Sequence, residues 1–185
     1  MSYSESEHYE PGTVNAARVL KDGEKWTLVL VRELRHPPEK VWQALTDPAH
    51  LRKWAPFDAD GSLGTPGTVK LTWGGTPVAV ETTVTRADAP RVLEYNDIRW
   101  ELEAFDGGTR LTLWHSIHRG YIAWGAAGWH ICFEVLAQLL SGVAIAAMAG
   151  ADAVKSKRWQ QLRGEYAKQF GTEAPGTQPN AAQGS

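Results

Sequence analysis

Residues 98–118 read IRWELEAFDGGTRLTLWHSIH, and this stretch decides the fold. Apolar side chains occupy every second position from Ile98 to Ala104 and again from Leu111 to Ile117, with His115 in phase with the second run. Such alternation predicts strands with one buried and one wet face, and the Asp106-Gly107 dipeptide between them predicts a tight turn. The stretch therefore predicts an antiparallel hairpin whose apolar face needs a cover.

Other strands are predicted on both sides of this hairpin, separated by Gly, Pro and Asp turn signals. They cover residues 13–20, 26–35, 68–73, 78–88 and 91–96. Two short helices are predicted after the strand that ends near Arg35, one entered through Pro37 and Pro38 and one capped by Asp47 with Pro48 at its first position. Residues 55–68 are predicted to be a loop.

The cover is predicted from a helical stripe near the C-terminus. From Ala123 onward, large apolar side chains step by four, three, four and three residues, at positions Trp129, Phe133, Leu136, Leu140 and Val143. A further helix is predicted over 155–170, and Trp42 and Trp129 are expected in the core. The fold class is therefore α+β, with a curved antiparallel sheet around a long C-terminal helix and two short helices after the first long strand. The role of the small, apolar segment Ser141 to Ala153 stays open.

Composition indicates one domain. The chain has 185 residues and a formal net charge of −2, without the runs of like charge typical of nucleic-acid-binding arms. Residues 1–12 and 171–185 read as disordered tails around a domain at 13–170. A single cysteine, Cys132, excludes an internal disulfide, and no signal peptide or membrane span is predicted, so a cytoplasmic location is expected.

Several short segments of the sequence resemble those of a known superfamily. They are Arg32-Glu33-Leu34, the run PPEKVWQALTDP at residues 37–48 and the run AAGWH at 126–130. They resemble START-like and birch-pollen-allergen-like (SRPBCC) proteins, in the branch named after the activator of the heat-shock-protein ATPase. The resemblance implies a helix-grip fold over about 13–170. It implies less about function, because the superfamily includes lipid carriers, hormone receptors, cyclases and chaperone activators.

A sheet gripped by one helix leaves a space that suits apolar small molecules, and nine tryptophans supply aromatic lining. We predict noncatalytic binding of a small hydrophobic or aromatic molecule there, with no cofactor. His115 falls on the covered face, so its imidazole needs a partner or a ligand. The predicted lining residues are Trp73, Val80, Thr82, Trp100, Leu102, Leu113, His115, Trp129, Phe133 and Leu136.

Two alternatives stay open, as does a homodimer. One is a cyclase or dehydratase in which His115 works with Glu94 or Tyr95 as acid and base. The other is a chaperone-ATPase-activating interaction module, which a fully packed interior would favour. His115, His118 and His130 lack metal-site spacing, and no phosphate-binding loop is readable, so no metal or nucleotide is expected.

Overall fold

A computed structural model describes residues 17–74, 76–142 and 156–172. In these ranges a curled, eight-stranded antiparallel sheet carries a long helix on its concave face, which confirms the helix-grip α+β prediction. The sheet order is β1-β2-β8-β7-β6-β5-β4-β3. The strands are β1 (Ala17–Asp22), β2 (Lys25–Leu34), β3 (Phe57–Ala59), β4 (Gly67–Trp73), β5 (Ala79–Asp88), β6 (Val92–Tyr95), β7 (Ile98–Phe105) and β8 (Gly108–His118). The helices are α1 (Pro38–Thr46), α2 (Pro48–Trp54), α3 (Ile122–Leu140) and α4 (Lys157–Phe170).

The predicted turn residues form the hairpins. Gly23, with a φ of 58°, connects β1 to β2, and Asp106 and Gly107, with φ of 46° and 79°, connect β7 to β8. Two successive residues with positive φ match the twist of flanking strands, which explains why Asp-Gly stands at the second turn. Opposite residues in the β7–β8 ladder are Ile98 and His115 at one end and Phe105 and Gly108 at the other.

Helices α1, α2 and α4 begin at proline residues or directly after side chains that cap their first turn. Pro38 starts α1, and the Asp47 carboxylate caps α2 by accepting a 2.9 Å hydrogen bond from the Ala49 backbone N–H. Ser156 caps α4 in the same way through the Trp159 N–H, and Gly171, with a φ of 67°, ends that helix.

Some local predictions were wrong or fall outside the described residues. The loop predicted over 55–68 contains β3, whose three residues are too short to show a period. Trp42 is only partly buried, whereas Trp129 is buried as expected. Residues 1–16, 143–155 and 173–185 lie outside the described residues, and with them Val143 and most of both predicted tails.

Aromatic rings fill the space between the sheet and α3. Trp100 on β7 packs edge-to-face against Trp129 and Phe133 of α3, with ring centroids 5.5 and 5.9 Å apart. Trp54 of α2 closes the same cluster at 6.0 Å from Trp100. Edge-to-face contacts of this kind add to the gain from burying apolar area, so they hold α3 firmly on the sheet.

Candidate functional site

The sheet divides into two wings at one end. β6 stops at Tyr95, opposite Val84, and β7 starts at Ile98, opposite His115. Beyond these pairs, residues 79–83 of β5 pair in the sheet with β4 alone, and residues 116–118 of β8 pair with β2 alone. We call this region, where the β6–β7 hairpin falls short of its neighbours, the split end.

The Asn96-Asp97 turn lies at the base of the split. The Asn96 side-chain amide donates a 3.1 Å hydrogen bond to the Thr82 hydroxyl on one wing, and the Asp97 carbonyl accepts one of 2.9 Å from the Ser116 N–H on the other. These two bonds connect both wings to the tip of the hairpin.

Inward-facing side chains at the split end are left uncovered. Val80 lies on the same face of β5 as Thr82 and Val84, which are each only 1% exposed, yet Val80 is 46% exposed and Val78 is 62% exposed. The predicted lining residue Val80 is therefore exposed in this structure, as is Val78. The reason is that β6 ends at Tyr95, opposite Val84, so it does not pair with β5 beside Val80.

Trp73 of β4 crosses the concave face and stacks on His115 of β8. Their ring centroids are 6.4 Å apart with an interplanar angle of 20°, and both side chains are partly exposed. Together these two rings join the two wings across the concave face, and we call the pair the aromatic platform.

The imidazole of His115 is fixed in one tautomer. Its Nδ1 accepts a 3.0 Å hydrogen bond from the Trp129 Nε1–H, so a neutral ring carries its proton on Nε2. Burial lowers the pKa of His115 to about 4, while Asp97 raises it and Lys25 lowers it by smaller amounts. At neutral pH the ring is therefore an uncharged N–H donor, and none of the described residues accepts from its Nε2.

A surface groove of about 460 Å³ is lined in part by this imidazole, on the β8 side of the split end. Its rim carries two sets of ion pairs. Lys25 Nζ lies 2.7 Å from Asp97 Oδ1, and Glu24 lies 3.0 Å from Arg119 and 3.3 Å from His118. The groove is lined by Glu24, Lys25, Asp97, His115, Ser116, Ile117, His118 and Tyr121.

The predicted lining residues fall into a shallow and a deep group. The shallow group is Trp73, Val80 and His115, which lie on the inner face at the split end. The deep group is at most 4% exposed, and its members are Thr82, Trp100, Leu102, Leu113, Trp129, Phe133 and Leu136. A ligand-sized space would leave accessible surface on its lining, so the deep residues pack against protein in this structure. Their contact with a ligand stays a prediction.

The three catalytic candidates, Glu94, Tyr95 and His115, form no hydrogen bond with one another among the described residues. Glu94 lies on the convex face, where its carboxylate binds Arg99, opposite to the face that carries His115. The Tyr95 hydroxyl is buried and accepts a 2.9 Å hydrogen bond from Trp100 Nε1–H, and burial raises the pKa of Tyr95. No acid–base pair with His115 results from these positions.

The sequence did not point to Lys25, Asp97, Ile117 and Tyr121 as members of this site. The available signal was the length of the predicted strands, because a short β6 between long neighbours leaves ladder positions unpaired. Within the described ranges, no cluster of three His, Cys, Asp or Glu side chains could hold a metal ion. In the same ranges, no helix is long and apolar enough to cross a membrane.

Solved structures share this fold. A conserved protein of unknown function from Enterococcus faecalis, EF2215, superposes with a TM-score of 0.65 at 19% identity, covering 83% of this chain and 89% of its own. A protein from Bordetella parapertussis, encoded by BPP1335, gives 0.61 at 21% identity over 86% and 92%. CalU16 from Micromonospora echinospora gives 0.59 at 18% identity over 83% and 93%.

No functionally curated protein matches the chain significantly. The family model for activator of Hsp90 ATPase homolog 1-like proteins matches residues 35–141, which is more than half of the chain. This range runs from the entry to α1 to the end of α3, and so includes every strand of the split end except β2. The chain therefore belongs to the activator of Hsp90 ATPase homolog 1-like family, within the SRPBCC superfamily.

Proposed function

We propose that the chain binds a small hydrophobic or aromatic molecule at the split end, without converting it chemically. The observation that carries this proposal is that the inward-facing side chains of Trp73, Val80 and His115 stay uncovered where the β6–β7 hairpin stops short. Because exposed apolar area favours burial, a ligand gains roughly 2.5 kcal/mol for each 100 Å² that it covers there.

The shape of the split end suits an aromatic ring. The Trp73–His115 platform offers aromatic surface, and Val80, diagonal to Trp73 across the β4–β5 ladder, adds exposed apolar surface. The adjoining groove of about 460 Å³ falls within the size range of small-molecule sites, roughly 300–1,000 Å³. The buried Trp129 holds the imidazole in place through its hydrogen bond, so the platform is rigid before a ligand arrives.

The surroundings of His115 support a noncatalytic role. A general base works best with a pKa near the operating pH, and the pKa of His115 is lowered to about 4. Neither Glu94 nor Tyr95 is placed to exchange a proton with it. The imidazole suits the role of a fixed hydrogen-bond donor.

The packed deep group meets the expectation for an interaction module, which the family name also suggests. A small aromatic platform beside a groove nevertheless favours a small ligand, since protein partners bind more extended surfaces of about 800 Å² on each side.

Isothermal titration calorimetry with naphthalene-2-carboxamide tests the proposal on wild type and on two variants, Val80→Arg and Leu20→Arg. Val80→Arg places a charged side chain in the split end, whereas Leu20→Arg changes an equally exposed residue on β1, at the far edge of the sheet. We expect wild type and Leu20→Arg to bind and Val80→Arg to lose at least tenfold in affinity. Equal binding by all three proteins, or none by wild type, would overturn the proposal.

A further inference from the structure

An ion pair at the groove joins one wing of the split to the tip of the β6–β7 hairpin. Lys25 stands at the start of β2, and Asp97 lies in the β6–β7 turn. The Nζ–Oδ1 distance is 2.7 Å, and the two side chains are 60% and 57% exposed. Both side chains line the same groove as the His115 imidazole.

An exposed ion pair contributes only about 0–1 kcal/mol, so a ligand can replace one partner at little cost. The other charged groups at the groove are more constrained, because Glu24 contacts both Arg119 and His118, and the His118 Nδ1 accepts from the Gly120 N–H. Lys25 is therefore the cation at the groove that can most readily turn to a new partner.

His115 decides which partner of the ion pair a ligand replaces. Its Nδ1 is occupied by Trp129, so the imidazole can offer a ligand only the Nε2–H. A cationic ligand group that paired with Asp97 could not accept a hydrogen bond from this N–H. An anionic oxygen would gain both a hydrogen bond from His115 and a charge-assisted bond from Lys25.

We propose that the ligand of the split end is an aromatic acid. Its carboxylate or phenolate oxygen forms an ion pair with Lys25 in place of Asp97 and accepts a hydrogen bond from His115 Nε2–H. Its ring then lies beside His115 at the split end. This inference rests on the proposed function and adds the chemical class of the ligand. Asp97 acts as an internal competitor that occupies Lys25 when no ligand is bound.

The test compares 2-naphthoate with naphthalene-2-carboxamide, which share a ring system and differ in charge. At pH 7 and low salt, calorimetry should show about tenfold tighter binding of the naphthoate to wild type. Lys25→Met should reduce naphthoate affinity to that of the carboxamide, and Asp97→Asn should raise naphthoate affinity several-fold. Neither variant should change carboxamide affinity by more than twofold.

Lys168→Met, on the exposed side of α4, controls for the change in net charge and should leave both affinities unchanged. All three substituted side chains are exposed, so the variants retain the fold. If both compounds bind wild type equally and Lys25→Met changes neither, the acid preference is refuted while the binding site stands. If neither compound binds, the proposed function itself fails, and the acid preference with it.

Discussion

The indole Nε1–H of Trp129 donates a 3.0 Å hydrogen bond to Nδ1 of His115. This bond joins the middle of α3 to β8 at the point where the packed core ends and the split end begins. It satisfies the one donor of a buried tryptophan, and it fixes which nitrogen of the histidine carries a proton. Through it, the tryptophan-rich core orients a donor toward the groove.

Stability should depend on the protonation of His115. Its pKa is lowered to about 4 in the folded chain, from 6.5 in the unfolded chain, because burial disfavours the charged ring. Between these values the unfolded state binds more protons, so stability should be complete above pH 6.5 and fall as the pH drops toward 4. The loss should be on the order of 2–3 kcal/mol, measured by urea unfolding at several pH values.

His115→Asn is the matched control for this pH dependence. Its side-chain oxygen can accept from Trp129 in place of Nδ1, but it does not titrate. The variant should lose less stability than wild type between pH 6.5 and 4. Parallel stability curves for the two proteins would show that His115 is not the group responsible.

Trp129 should be among the most costly residues to truncate. It is 3% exposed and contacts Trp54, Trp100 and Phe133. Trp129→Ala should lower the free energy of unfolding by about 3–5 kcal/mol. Trp129→Phe keeps most of the packing but leaves the His115 Nδ1 without its donor, so it should cost about 1–3 kcal/mol. A loss under about 1 kcal/mol for the alanine variant in urea melts would contradict this account.

The sequence predicted the face on which a side chain lies better than it predicted whether other elements bury that face. The stripe from Trp129 to Leu140 is buried as predicted because a helix carries its own period. Alternation correctly placed Val80 on the inner face of β5, but whether that face is covered depends on where the separate strand β6 ends. The Lys25–Asp97 pair could not be predicted either, since it joins residues 72 positions apart, one at the start of β2 and one in the β6–β7 turn.

A buried polar cluster should contribute more to stability than an exposed ion pair on the same helices. Tyr166 Oη of α4 lies 2.7 Å from Nδ1 of the fully buried His130, and buried Arg32 stands 3.5 Å from the same nitrogen. Tyr166→Phe leaves these groups short of a partner and should cost about 1–3 kcal/mol. Arg158→Ala removes an outer pair with Glu134, which keeps its 3.3 Å contact with His130 Nε2, and should cost under about 1 kcal/mol.

Urea unfolding at pH 7 measures both variants. Equal losses for Tyr166→Phe and Arg158→Ala would mean that apolar packing alone, and not the buried cluster, docks α4 on α3.

Two glycines should respond in opposite directions to alanine. A Cβ on Gly108 would stand 2.2 Å from the Leu34 carbonyl oxygen, so the backbone of β2 or β8 must shift, and Gly108→Ala should destabilise by more than about 1 kcal/mol. A Cβ on Gly128, inside α3, meets nothing within 4 Å. Gly128→Ala should therefore stabilise by about 0.5–1 kcal/mol through helix propensity. The midpoints of urea melts should move in opposite directions, and a shared direction would contradict the close approach at Gly108.

Trp73 should report ligand binding in fluorescence. Among the tryptophans of the packed cluster and the platform, Trp54, Trp100 and Trp129 are at most 3% exposed, whereas Trp73 is partly exposed and lies at the split end. A ligand that covers the platform displaces water beside Trp73 and should shift its emission to shorter wavelength. Saturating, non-absorbing cyclohexanecarboxylate avoids overlap with indole emission. Trp73→Phe keeps an aromatic ring against His115 and should abolish most of the shift while binding, followed by calorimetry, changes less than about tenfold. A shift that survives this substitution would place the ligand beside another tryptophan and away from the split end.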